Sequence, residues 1–455
     1  MELFGISEFR NDLKILQNLQ RKMIFILSCI KSEYSTSSYI KDLFQYFEEI
    51  SISQHFTLYE AFLRIFVHLS IYFNHPETKD EEIFAKRQDI FFIILRELIL
   101  KHSLKKSINQ LTLFIIFKQN QHLLFFLYEE GIFNISFLIT KISFLNKNLL
   151  ILFHSEIKKF NPILYERLKE QFILKKKFLY PKDQLQEAYS IIEDEKGNIT
   201  EILKQIHSQN QIAKIIRKDD VNCFIDFISH NDNFDLNSRI MPSFYENNPD
   251  ITNKSFGISL LEYSMAFGSI NIFRYLWLNK VEYSEISLLY SIIGNNYEII
   301  HLVEEELEVI EKEIVEEIEE KSEKVYFNIN YLKSIEYYHP EFIEYFFDPN
   351  NSTKIYNLPL SSIIKIFDKT TNIEILCEIF LNGKISQLSR SEEHRYLSSL
   401  NNHVSTFNIQ NLQLSSFYFI CYFLFQQPNI DINSKNHILI FQFMIHFYFS
   451  DQISH

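Results

Sequence analysis

From Met1 to about Gln205, Phe, Leu and Ile return every three or four residues, the spacing that lines one side of an α-helix. Leu58, Phe62, Ile65, Phe66, Leu69 and Phe73 form one such stripe and predict a helix over 58–73. Turns are expected at Asn74-His75-Pro76-Glu77, Gly131, Asn161-Pro162 and Tyr180-Pro181, since proline ends the helix before it. The polar stretch Asp183 to Thr200, with Gly197, marks an internal boundary. The longest apolar runs are interrupted: Arg96 and Glu97 lie within 90–100, Lys118-Gln119-Asn120 within 111–127, and Gln442 and His446 within 438–449. A membrane-spanning helix needs about 20 mostly apolar residues. These runs are therefore expected to be buried in protein.

Beyond the boundary a unit repeats. Setting Ser259–Leu276 over Ser287–Val303, with one residue dropped, brings Tyr263 to Tyr290, Ile272 to Ile299, Phe273 to Ile300 and Leu276 to Val303. A third copy fits 333–346, with Ser334, Phe342, Ile343 and Phe346 in those columns. A weaker fourth fits 362–380, where Ile375, Leu376 and Ile379 serve. Each copy predicts a short helix, a turn and a second helix. Units of this size cannot bury an apolar face alone, so stacking is expected.

Charge changes the picture in one place. Of the net −13, −8 falls between Glu304 and Lys324, where eleven Glu stand against Lys312, Lys321 and Lys324. Leu307, Ile310, Ile314 and Ile318 give this segment a thin apolar stripe. It reads as an acidic helix, either solvated between subdomains or docking a basic partner. The opposite charge gathers at Lys158 to Lys182, with Tyr165, Phe172, Phe178 and Tyr180 interleaved. That pattern suits stacking and phosphate contact, yet an overall charge of −13 repels a polyanion, and lysines also favour a helix C-terminus. Nucleic acid is disfavoured as a partner.

Composition removes whole chemistries. Only 7 Gly and 9 Pro occur among 455 residues, against 45 Phe and 25 Tyr. Glycine lets backbone cradle a phosphate, and no G-x-x-x-x-G-K-S/T or G-x-G-x-x-G sequence is present; Gly383-Lys384 runs into Ile385. H-E-x-x-H is missing too. His301 and His339 could meet across adjacent units, but no neighbouring spacing supports a metal site. A Ser/His/Asp arrangement assembles only in space, and no G-x-S-x-G elbow announces one. Cys29, Cys223, Cys377 and Cys421 form no C-x-x-C pair and read as buried free thiols of a reducing cytosol. The acidic start of the chain does not read as a signal peptide. No catalytic, cofactor-binding or metal residue is assigned, and no cofactor is expected.

Gly257, Ser259, Leu261, Ser264, Gly268, Ile272, Phe273, Tyr275 and Leu276 resemble the columns of an ankyrin repeat. Asn233-Phe234-Asp235-Leu236-Asn237 and Asn429-Ile430-Asp431-Ile432-Asn433 resemble its Asp-Val-Asn loop. The stretch from Ile215-Ile216-Arg217-Lys218-Asp219-Asp220 through Met241-Pro242-Ser243-Phe244-Tyr245-Glu246 to Gly294–Glu305 is similar to the ankyrin-related domain of unknown function 3447. That domain occurs in large families of certain anaerobic protists, behind a helical N-terminal region. The departures are specific. Glu262 replaces the ankyrin His, Leu260 the Pro, and Lys280-Val281 the Gly-Ala, which removes the usual reason for a left-handed cap there.

Together these readings predict an all-α chain: a helical N-terminal region (1–205), then a degenerate ankyrin-like helix-turn-helix solenoid. Its parts are the ankyrin-related domain (206–303), the acidic helix (304–325) and further degenerate repeats (326–455). The last of these is expected to be truncated, with 436–455 not packed on Leu412, Leu414 and Phe417. The resemblance implies a cytoplasmic, non-enzymatic protein–protein interaction scaffold. The alternative is a regulator or effector docking at a membrane or cytoskeletal surface through the acidic helix or the aromatic C-terminus.

Overall fold

The computed structural model describes residues 2–31, 36–142, 148–176, 203, 205, 207–231, 234–252, 256–284, 287–305, 333–341 and 371–377. They are mostly helical, with one two-stranded ribbon, as an all-α chain requires. Most of the acidic segment, the fourth copy outside 371–377, and the whole C-terminus, including 436–455, lie outside the described residues.

The helix Phe56–Tyr72 sits at the centre of the N-terminal half, packed by Glu2–Ser28 and Gln110–Phe117. The predicted stripe is only part of what this helix buries. Tyr59, Leu63, Val67 and Ile71 are buried along with the predicted stripe, so no face of the helix is left to water. A helix enclosed on all sides must still satisfy its polar groups. Glu60 and Arg64, one turn apart and both buried, do so together: the carboxylate accepts from Nη2 at 2.7 Å and from Nε at 3.1 Å. The run 111–127 divides into Gln110–Phe117 and Gln121–Glu129 at its polar interruption, where Asn120 caps the second helix by accepting from Leu123 N at 3.1 Å.

Among the described residues of the second half, helical hairpins lie side by side. Gln211–Lys218 turns into Val221–Ser229, Leu260–Ala266 into Ile270–Leu278, and Leu288–Ile293 into a helix over 297–305. Leu260–Ala266 lies between the other two first helices, and Val221–Ser229 packs on Ile270–Leu278. The aligned columns are inside: Ile272, Ile299, Phe273, Ile300, Leu276 and Val303 are buried, as are Ser264, Ser291 and Ser334.

Each turn repeats one backbone device that the residue identities conceal. A left-handed residue stands at Asp219 (φ 55), Gly268 (φ 60), Asn295 (φ 48) and Tyr338 (φ 60). In every case its N–H reaches the carbonyl three residues back: Ile216, Met265, Ile292 and Ile335, at 2.9 to 3.3 Å. Neighbouring turns are also joined. The Asp219 carboxylate accepts from Asn271 N and Ile272 N, both at 3.0 Å, and so caps the second helix of the next hairpin.

Glu262, where an ankyrin repeat has His, completes a capping box with Ser259 (3.1 and 3.2 Å) and accepts from Ser287 Oγ of the next unit at 3.3 Å. It thus joins two neighbouring units through one carboxylate. The loop signature acts similarly, Asn237 Oδ1 accepting from Glu282 N at 2.9 Å. Between the first two hairpins Arg239–Ile240 pairs antiparallel with Ile258–Ser259.

The missing Gly-Ala does not remove the left-handed cap after Ile270–Leu278. Lys280 adopts it (φ 53), donating to Trp277 O at 3.0 Å while Val281 N reaches Leu276 O. Closing the hydrogen bonds of the helix end outweighs the Cβ penalty of about 1 kcal/mol. Lys280 is exposed, so Lys280→Gly is expected to stabilise the chain by roughly 0.5 kcal/mol, the relieved strain less the added freedom of the unfolded state. A small upward shift of the urea midpoint checks this.

Candidate functional site

The two halves meet through side chains distant in sequence, and the most polar part of that contact is buried. It gathers the turn after Phe56–Tyr72, the segment 207–210, the segment 243–250 between the ribbon strands, the turn beyond Leu260–Ala266, and 333–339. His207, Thr78 and Glu246 lie at its centre, all buried. His207 Nδ1 is 2.6 Å from Glu246 Oε2, and its Nε2 is 3.0 Å from Thr78 Oγ1. Glu246 Oε1 accepts from Asn248 N at 3.2 Å.

Spatially this is a hydroxyl–imidazole–carboxylate line, the arrangement that no local motif could announce. Its hydrogen bonding differs from that of an activated nucleophile. Thr78 has one hydroxyl proton and donates it to His75 O at 2.5 Å. Its oxygen therefore faces His207 Nε2 as an acceptor. A base that gives its Nε2 proton to the hydroxyl cannot remove one from it. The line binds three segments of chain together.

A second group continues outward from Asn248. Tyr337 OH lies 3.0 Å from Asn248 Oδ1 and 2.7 Å from Asp250 Oδ2. Lys333 Nζ bridges Asp250 and Glu336, each at 2.6 Å. Burial alone would lower the Lys333 ammonium; the two carboxylates outweigh it and raise it. Burial likewise lifts the Tyr337 hydroxyl well above its usual range, so it serves as a neutral donor. For Glu246, burial pushes the carboxyl up, but the His207 charge and hydrogen bond, with His75 and Asn248 N, hold it below its ordinary value.

Three further histidines line the contact. His68 Nδ1 meets Tyr338 OH at 2.9 Å, and His122 Nδ1 meets Asn247 Nδ2 at 2.7 Å. The His75 ring lies against His207 (5.7 Å between centroids), Phe267 (5.1 Å) and Tyr337 (6.4 Å), with its Nε2 buried and unpartnered. Burial lowers both His75 and His122 to about 4. At the far end Gln20 Nε2 donates to Asn372 Oδ1 at 2.8 Å and Gln20 Oε1 accepts from Ile373 N at 2.8 Å, while Arg21 pairs with Glu374. The first helix of the chain thereby holds Ile373–Cys377.

The residues singled out from sequence fall elsewhere. His301 is exposed on the helix over 297–305, whereas His339 is buried beside Glu341 (3.4 Å). Among the described residues no group of three or more His, Cys, Asp or Glu could hold a metal ion. Glu304 and Glu305 continue the helix from 297; the rest of the acidic segment is outside the described residues. In the basic segment, Lys158 and Lys159 are exposed but Tyr165 is buried, which takes that ring away from any stacking surface.

The expectation of buried thiols holds for Cys377 only. Cys29 is half-buried, Cys223 is exposed, and Cys421 is outside the described residues. Cys223 occupies the column of Ile272 and Ile299, but its hairpin is the first of the described run, so that column opens to solvent. His75, Thr78, His207 and Glu246 carry no sequence signal of their role: His75 reads as part of a turn, and Glu246 as part of the resemblance. Among the described residues no helix is long and apolar enough to cross a membrane. No protein-family model matches the chain, and no curated protein or solved structure matches it either.

Proposed function

We propose that the chain is a non-enzymatic protein–protein interaction scaffold, a degenerate ankyrin-like solenoid related to the domain of unknown function 3447 and acting in the cytoplasm. One observation carries this reading and directs it to a surface. Leu260–Ala266 is enclosed, every residue being buried, and Leu288–Ile293 nearly so, whereas the second helices Ile270–Leu278 and 297–305 each keep exposed residues on one side. The partner is accordingly assigned to the second-helix side. Arg274, Leu278 and Tyr297 are exposed there, and Arg274 pairs only with the equally exposed Glu298. A surface pair of this kind is worth at most about 1 kcal/mol to the fold, so it can be changed without unfolding the chain.

The test is affinity capture from native cytosol with the full chain and with Arg274→Glu/Leu278→Asp. A single partner retained by the first and weakened at least tenfold by the second is the expected result. Undiminished capture by the double variant, with loss on replacing the glutamates of 304–324 by glutamine, transfers the function to acidic docking. Turnover of any substrate by the purified chain removes the non-enzymatic reading.

A further inference from the structure

We propose that the contact between the N-terminal helices and the hairpins is a proton-operated latch, opened by mild acid through the charging of His75 and His122, which uncovers the inner helices. Both imidazoles lie inside the contact, and neither has a carboxylate hydrogen-bonded to it. His75 is wedged between the His207 ring and the aromatic faces of Phe267 and Tyr337. His122 lies against Phe84 (5.6 Å between centroids) and Asn247. A proton added to either ring in the closed state creates a buried cation without an anionic partner, which the open state solvates.

The surrounding charges do not cancel this cost. His75 feels Glu246 and Asp250 in its favour, and Arg87 and His207 against it. Arg87, from Glu81–Leu100, is itself buried and held by the carbonyls of Phe73 and Asn74. For His122 burial outweighs the backbone hydrogen bonds of Leu203 and Gln205, which favour the proton, as does Glu246, while His207 opposes it. Arg217, whose Nη1 donates to Tyr263 OH at 2.6 Å, adds a further cation over Phe267. Glu246, held below its ordinary value, is committed to His207 through their 2.6 Å contact.

The sign follows directly. Each ring is neutral in the closed form and titrates near its ordinary value of 6.5 when released. The closed form is therefore fully favoured above that value and loses ground as pH falls from there toward about 4. Two such groups take up two protons on opening, so the opening equilibrium rises about 100-fold per pH unit through most of this window. His102 is lowered as well, but it lies against Phe47 inside the N-terminal half and reports on that half alone. The latch does not depend on what the hairpins bind.

Hydrogen–deuterium exchange on the full chain between pH 6.5 and 4.5, corrected for intrinsic exchange rates, tests the latch. Segments 72–80, 244–252 and 333–339 are expected to lose protection with the two-proton slope, while 36–49 and 94–102 keep theirs. His75→Phe fills the same aromatic surroundings and loses no bond from Nε2; it should reduce the slope to about tenfold per pH unit. His122→Gln, which retains an acceptor for Asn247, should do the same independently. The proposal is overturned by unchanged protection at the contact across this range, by simultaneous loss over both halves, or by a slope that neither variant alters.

Discussion

Gly294→Ala is expected to cost the chain about 3 kcal/mol or more, a large effect for a single added methyl group. Gly294 caps Leu288–Ile293 with ordinary right-handed backbone, so conformational freedom is not the reason. A Cβ there would stand 1.8 Å from Met265 O and 3.0 Å from Gly268 N. Both obstacles are backbone of the adjacent hairpin and cannot rotate aside as a side chain could. The hairpins would have to separate, which opens the columns of Ile272, Ile299, Phe273 and Ile300. Urea unfolding followed by far-ultraviolet circular dichroism gives the measure. A loss below about 1 kcal/mol would mean that the hairpins do not approach at this point.

The second large effect belongs to Glu246. Glu246→Ala should cost about 3–5 kcal/mol at pH 7, because it removes the carboxylate partner of the buried His207 ring and leaves Asn248 N without its acceptor. Glu246→Gln should cost only about 1 kcal/mol. Its Oε1 still accepts from Asn248 N, and its amide can donate to Nδ1 once His207 keeps its proton on Nε2 alone. The carboxyl lies below its ordinary value in the folded state, so its stabilising contribution is present above that value and is lost as pH falls through the depressed one. The Glu246→Gln curve should therefore converge with wild type in strong acid, whereas Glu246→Ala keeps the deficit of the unpartnered Asn248 N. Equal losses for the two variants at pH 7 would show that volume, rather than charge and hydrogen bonding, decides this site.

These effects come from contacts of very different visibility in the sequence. The helix positions follow from periodicity, and the repeat columns were legible because each unit keeps the same apolar positions. The interruption at Lys118-Gln119-Asn120 marked a real break, since Asn is a good cap at a helix start. Two misreadings had one cause. Lys280 was expected not to take the left-handed conformation, and Cys223 was expected to be buried, because residue type was used in place of position. In the structure, backbone closure at a helix end overrides the Cβ penalty, and a column is buried only if another hairpin covers it.

Local chemistry, then, determined by itself that the chain is helical, where many of its helices begin and end, and that a helix-turn-helix unit recurs from Ser259. Hydrogen bonds and side-chain spacing within one helix depend on residues three or four apart, and such information is written along the chain. The tertiary structure alone decided that Phe56–Tyr72 has no solvent face, that the N-terminal helices cover the hairpins, and that His75, Thr78, His207 and Glu246 share one buried contact. Those residues lie as much as 171 positions apart. Their association depends on which surfaces remain to be buried once each half has formed, and no periodicity carries that.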